Sequence, residues 1–210
     1  MHSATTTFNK NQCFGEVVEA GIDQLVVQYW QDSKAATFGE IIKLQSPWGT
    51  AFALLYDLKN TAIFPHSKAV ALQLTPEELA SQQPQLADVI ATFAWLKVFA
   101  YRNQTQNTII FNYAPQPVPL HTFAAHLDPV ELLTLTELPL FFLQLLHSIS
   151  AVAEVERVAL ALVDELARHK PLTLTFFEDL YQQYSRIPGF NQAQARLLFS
   201  QFNSLVKSHR

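Results

Sequence analysis

Residues 14–58, FGEVVEAGIDQLVVQYWQDSKAATFGEIIKLQSPWGTAFALLYDL, decide how this chain folds. Four short runs rich in Val, Ile, Leu, Tyr and Phe are cut apart by Gly15, Gly21, Gly39 and Gly49: Phe14–Ala20, Leu25–Trp30, Phe38–Gln45 and Thr50–Leu58. Turn residues spaced every ~8–12 positions between β-favouring runs are the pattern of a sandwich or barrel. Asp23 after Gly21, and the SPWG stretch at Ser46–Gly49, supply the turns. The expected fold class is α+β, a small closed or partly open antiparallel β-barrel over residues 1–120. A C-terminal helical bundle over residues 121–210 is expected to follow and to pack on the barrel.

Outward from this stretch, Ile63–Leu74 is expected to add one or two further strands. Thr75 then starts an inserted helix near residues 76–91: TPEE places Thr75 at the cap, Pro76 at the first helical position and Glu78 where it can reach back to the cap amide. DPVE repeats the device with Asp128, Pro129 and Glu131, and Thr175 with Glu178 forms a third capping box. Thr92–Arg102 and Thr108–Tyr113 read as a hairpin around the polar NQTQN, with Trp95 in the core. Alternating prolines at 115, 117 and 119 enforce an extended crossing over Ala114–His121. Because residues 103–127 contain no charged side chain, this crossing reads as a packed strap.

The remainder reads as helical. Leu140–Ile149 is apolar almost all round and is expected to be the central helix of its layer. Glu154–His169 is amphipathic, the helix from Thr175 ends at Pro188-Gly189, and a last helix runs from about Asn191 with Leu198, Phe199, Phe202 and Leu205 on one stripe.

Composition narrows the function. Hydrophobic residues make up 49% of the 210 and charged residues 15%, so the chain can bury a substantial core. The 16 Phe, 6 Tyr and 3 Trp offer contact area for a core and for a protein interface. The formal net charge is −4, and residues 151–210 carry 7 basic against 6 acidic side chains, so no basic field draws in nucleic acid. Cys13 is the single cysteine, which excludes an internal disulfide and a thiolate zinc cluster and fits a reducing cytoplasm. The first residues lack an apolar signal region, and Leu138–Ala153 is too short and too polar to cross a bilayer.

Catalytic signatures lack their parts. No glycine lies between Gly49 and Gly189, so there is no phosphate loop and no dinucleotide fingerprint. His121, His126 and Asp128 come nearest to a metal set, but histidines at that spacing share a face only on a helix, and Asp128 is better used as a cap. Neither Cys13 nor any Ser has a nucleophile-elbow context, and Glu77-Glu78 sits in a capping turn. No enzyme activity, cofactor or metal is expected. Trp30 and Trp48, at a strand end and in a turn, are the candidate partner-binding residues, either as hot spots or as plugs of the barrel ends. In the alternative, a helix-turn-helix-like C-terminal pair reads DNA through Arg186, Gln192, Gln194 and Arg196.

Gly15-Glu16-Val17, the second strand Leu25–Tyr29, Gly39-Glu40-Ile41 and the return strand Thr50–Leu58 together resemble the HAS barrel, the small β-barrel shared by HerA-type DNA translocases and rotary ATP synthase subunits. TPEEL, QPQL at Gln83–Leu86 and PVPLH at Pro117–His121 resemble the region that follows the barrel in HerA-like proteins. The resemblance covers residues 12–125, and the family's ATPase domain with its phosphate loop is missing. What it implies is the barrel's part in ring assembly and docking, without the motor. The expected function is a non-enzymatic assembly or adaptor protein acting on another protein or a second copy, in a DNA-processing or ATPase complex. Nucleic-acid contact is expected to be weak and membrane contact absent.

Overall fold

The computed structural model describes residues 12–31, 33–64, 70–138, 141–149, 155–169, 174–185 and 200. The strands are β1 (Cys13–Ala20), β2 (Gln24–Tyr29), β3 (Ile41–Ser46), β4 (Gly49–Ala62), β5 (Ile90–Asn103), β6 (Ile109–Ile110) and β7 (Phe123–His126). All pairings are antiparallel, in the order β2-β1-β7-β3-β4-β5, and β2 pairs back onto β5 from Gln24↔Lys97 to Gln28↔Phe93. That last pairing closes a six-stranded barrel, and β6 hangs from β5 outside the ring.

A six-stranded barrel is narrow, so its interior is filled by side chains and holds small ones where strands crowd. Phe14, Val17, Leu25, Val27, Ile42, Leu44 and Leu55 fill it with Ala51, Ala53, Ala94 and Ala124. Val118 of the proline strap is 3% exposed and joins this interior cluster, so the strap packs against the barrel.

Five helices are described: α1 (Pro76–Gln82), α2 (Pro129–Thr136), α3 (Phe141–Ile149), α4 (Val155–His169) and α5 (Leu174–Tyr184). The second core lies between α2–α5 and the outer surface of β3, β4 and β5. Ile41, Phe52, Leu54, Phe99 and Ala100 meet Leu132, Phe141, Leu145, Val158, Leu162 and Leu180 there. On β4 the inward Ala51, Ala53 and Leu55 alternate with the outward Phe52 and Leu54. Both faces of the first half of that strand are buried, and its unbroken apolar reading follows. A chain of ring contacts, Phe99–Phe141–Phe142–Phe176, carries this core from β5 through α3 to α5. Gly39 seats α4: it has φ +87°, and a Cβ there would lie 2.4 Å from the Ala161 Cβ.

Several expectations need correction. The described parts of Ile63–Leu74 form no strand. Instead β4 runs on to Ala62 through the polar Lys59-Asn60-Thr61, because β5 continues beside it to Ile90. β7, whose small alanines carry little strand signal, fills the slot between β1 and β3. Trp95 points outward and is only partly buried, with the Lys59 ammonium 4.4 Å above its ring. Among the described side chains of α3, Phe141, Phe142, Leu145 and Ile149 are buried and His147 is exposed. The Thr75–Glu78 capping box forms in full. At α2 Asp128 caps the Val130 amide, but Glu131 turns away to Lys43 (2.5 Å) and Arg102 (3.5 Å), since two cations outweigh one amide. α5 begins at Leu174, so Thr175 lies in its first turn and not at its cap. The last helix, from Asn191, falls outside the described residues except at Ser200.

Candidate functional site

The barrel wall at β1 and the start of β7 contributes nothing to the core beneath the helices. Two irregularities shape this face. The β1–β2 register shifts between Val17 and Glu19, leaving Val18 as an extra residue whose side chain is 38% exposed. The β1–β7 register shifts between Cys13 and Gly15, while Phe14 stays in the interior. Glu16 pairs across to Phe123 and points outward.

Trp30 follows the end of β2, and its amide donates to the Phe14 carbonyl. Its side chain lies over β1. The indole Nε1 donates to Oε1 of Glu16 at 3.0 Å, and the ring meets Phe123 edge-on with centroids 5.0 Å apart. His121, 80% exposed, lies 3.2 Å from the other Glu16 oxygen. Trp30 is half-buried, Phe123 is 37% exposed and Leu120 of the strap 57% exposed. An aromatic pair on a sheet face, with apolar neighbours and the acidic Glu16 and Glu19, is the chemistry of a protein-docking surface.

Trp48 has a different setting. It occupies the β3–β4 turn before Gly49, packs on the barrel interior and meets Tyr101 edge-on at 5.9 Å. Its Nε1 is buried without a hydrogen-bond acceptor among the described residues. Around the ring, Glu16 pairs with Phe123, and the neighbouring Ala124 pairs with Leu44 near the end of β3, just before the turn that carries Trp48.

The metal candidates are dispersed: His121 faces Glu16, His126 faces Glu40, and Asp128 caps α2. No group of three or more metal-ligating side chains gathers among the described residues. Arg186, Gln192, Gln194 and Arg196 lie outside the described residues. Among those residues no helix is long and apolar enough to cross a membrane.

Sequence reasoning missed a polar cluster beneath the β2–β3 connector. Nδ1 of His126 lies 2.5 Å from Oε1 of Glu40, and Nε2 lies 3.0 Å from the Lys34 carbonyl oxygen. Glu40 Oε2 accepts from the Thr37 amide at 2.9 Å. The hydrogen bond from Glu40 raises the His126 pKa above the ordinary histidine range against the opposing effect of burial. The Tyr29 hydroxyl donates to the Ala36 carbonyl at 2.9 Å, and burial with the nearby Glu40 charge pushes its pKa well above the usual phenol value. The only sequence signal was Glu40 in the GEI strand start, since His126 sits 86 residues away.

No protein-family model matches the chain, and neither does any curated protein.

Proposed function

We propose that this protein is a non-enzymatic adaptor or assembly factor that docks a partner protein on the bare face of its barrel, at Trp30 and Phe123. The observation that carries this reading is the partly exposed edge-to-face pair of Trp30 and Phe123 on strands that take no part in the core formed with the described helices. Partly exposed aromatic side chains ringed by polar groups supply most of the binding energy at protein interfaces. Glu16 and Glu19 favour a partner segment with an apolar side chain flanked by Lys or Arg. The filled barrel interior supports a role through surfaces, since side chains occupy the space a ligand would need. Placing the protein in the cytoplasm, in a DNA-processing or ATPase complex, extends the HAS-barrel resemblance. That placement rests on the resemblance alone; the structure shows a closed antiparallel barrel built from residues 13–126.

The test is affinity capture from native lysate with three proteins: wild type, a Trp30→Ala/Phe123→Ala double variant, and Val130→Ala, which alters an exposed α2 residue. The expected result is a discrete protein retained by wild type and Val130→Ala and lost by the double variant. Capture that survives the double substitution, or nucleotide hydrolysis by the purified wild type, would overturn the reading.

A further inference from the structure

His126, at the end of β7, has a hydrogen-bond acceptor on each side of its ring: a Glu40 carboxylate oxygen at Nδ1 and the Lys34 carbonyl at Nε2. A neutral imidazole carries one N–H and one lone pair, so it can donate to only one of the two and would turn its lone pair on the other oxygen. Only the imidazolium satisfies both. The Glu40 and His126 side chains are 15% and 20% exposed, so a charged ring here has its counter-ion in contact and partly shielded from water. We infer that His126 is held as an imidazolium whose ring protons latch residues 34–37 of the β2–β3 connector to the barrel, and that loss of one proton loosens the connector there. This inference stands apart from the docking role of Trp30.

Among the described residues the connector has further ties: Ala36 is buried in the barrel interior, Phe38 packs against the core beneath the helices, and the Gly39 amide donates to the Leu55 carbonyl. Glu40 reaches it through its second oxygen, which accepts from the Thr37 amide, and Tyr29 donates to the Ala36 carbonyl. Ser33 Oγ lies 3.0 Å from the Phe14 and Trp30 carbonyls. Around the ring, the Lys34 ammonium on the connector disfavours the cation and Glu40 favours it. From β1 the Phe14 ring packs at 5.2 Å and Cys13 lies across from Ala125. From β2 comes Tyr29, spent on Ala36; from β3 comes Lys43, paired with Glu131. Asp128, two residues on, is committed to the Val130 amide. Glu40 is thus the one carboxylate in contact with the ring among the described residues.

The direction in pH follows from a raised His126 pKa in the latched state. The latch contributes fully below the unlatched histidine value of about 6.5. Its contribution declines as pH rises from there through the raised latched value, and this part of the connector opens more often by up to about tenfold per pH unit within that window.

The test uses the full-length, nitrogen-15-labelled protein. Ring-nitrogen NMR is expected to find both His126 nitrogens protonated at pH 6.5, with a titration midpoint above that of histidine in a short peptide spanning the β7 sequence. The protection factor of the Thr37 amide, corrected for intrinsic exchange, should fall through the same range. Glu40→Gln should lower the midpoint, and His126→Gln should leave Thr37 protection low and independent of pH. A neutral ring at pH 6.5, a midpoint unmoved by Glu40→Gln, or Thr37 protection that is flat with pH in wild type would each overturn the latch. If His126→Gln does not fold, the wild-type titration and Glu40→Gln decide the question alone.

Discussion

The barrel wall has two sides that the same strand chemistry equips for opposite surroundings. Along β3, β4 and β5 both faces are apolar: Ile42, Leu44 and Leu55 fill the barrel, and Ile41, Phe52, Leu54 and Phe99 lie under the helices. Along β1 the inner positions are apolar, and Glu16, Glu19 and the bulged Val18 face outward. An outward residue on β3–β5 gains stability from burial at about 25 cal/mol per Å² of apolar surface, whereas one on β1 keeps most of its contact with water. On that side the apolar Val18 and Phe123 are 38% and 37% exposed.

The largest effect should separate the two sides. Phe141 is fully buried and touches Phe99, Phe111 and Phe142, so Phe141→Ala should cost about 3–5 kcal/mol in urea unfolding. Phe123→Ala should cost about 1 kcal/mol, the worth of one edge-to-face pair at a half-exposed site. Comparable losses for the two would show that the bare face is a structural surface, and the comparison would collapse.

Next in size is the boundary between the sides. Lys97 on β5 is flanked by β2 and β4, and its side chain is 7% exposed against the Asp23 carboxylate of the β1–β2 turn. Asp23→Ala strands this ammonium in a nearly buried position and should cost about 2–3 kcal/mol. Adding Lys97→Met removes the stranded charge and should recover most of the loss. A double variant as unstable as the single one would mean that the turn, and not the ion pair, joins β1–β2 to β5.

The first four strands were legible because Gly21, Gly39 and Gly49 cut the apolar runs where the backbone turns, and Gly39 and Gly49 take positive φ, whereas Gly15 lies inside β1. Thr75 and Asp128 were legible as caps because a cap is a local event, resolved within three residues. β7 was not legible: FAAH becomes a strand because β1 and β3 leave a slot of that width, information held more than 70 residues away. Glu131 left its capping box for Lys43, 88 positions distant, for the same reason. Of the candidate site, Trp30 was visible as a large aromatic at a strand end, but its companion Phe123 belongs to the strand that could not be read. Trp48 looked equivalent in sequence and differs only because its turn folds back over the barrel interior.

The smallest expected effect concerns a segment that belongs to neither side. α1 buries no residue, so packing contributes little and the Thr75 cap holds its first turn. Thr75 Oγ1 accepts from the Glu78 amide at 3.2 Å, and the Glu78 carboxylate accepts from the Thr75 amide at 2.8 Å. Thr75→Ala should weaken α1 by about 1 kcal/mol, which is about fivefold in the local opening constant. Exchange of the Leu79 and Gln83 amides, which donate to the Thr75 and Leu79 carbonyls, should quicken by that factor. The urea midpoint of the barrel should not move, because α1 shares no core residue with either side of the wall. A global loss of stability would instead mean that α1 braces the long β4–β5 hairpin from which it projects, adding a third supported region to the two compared above.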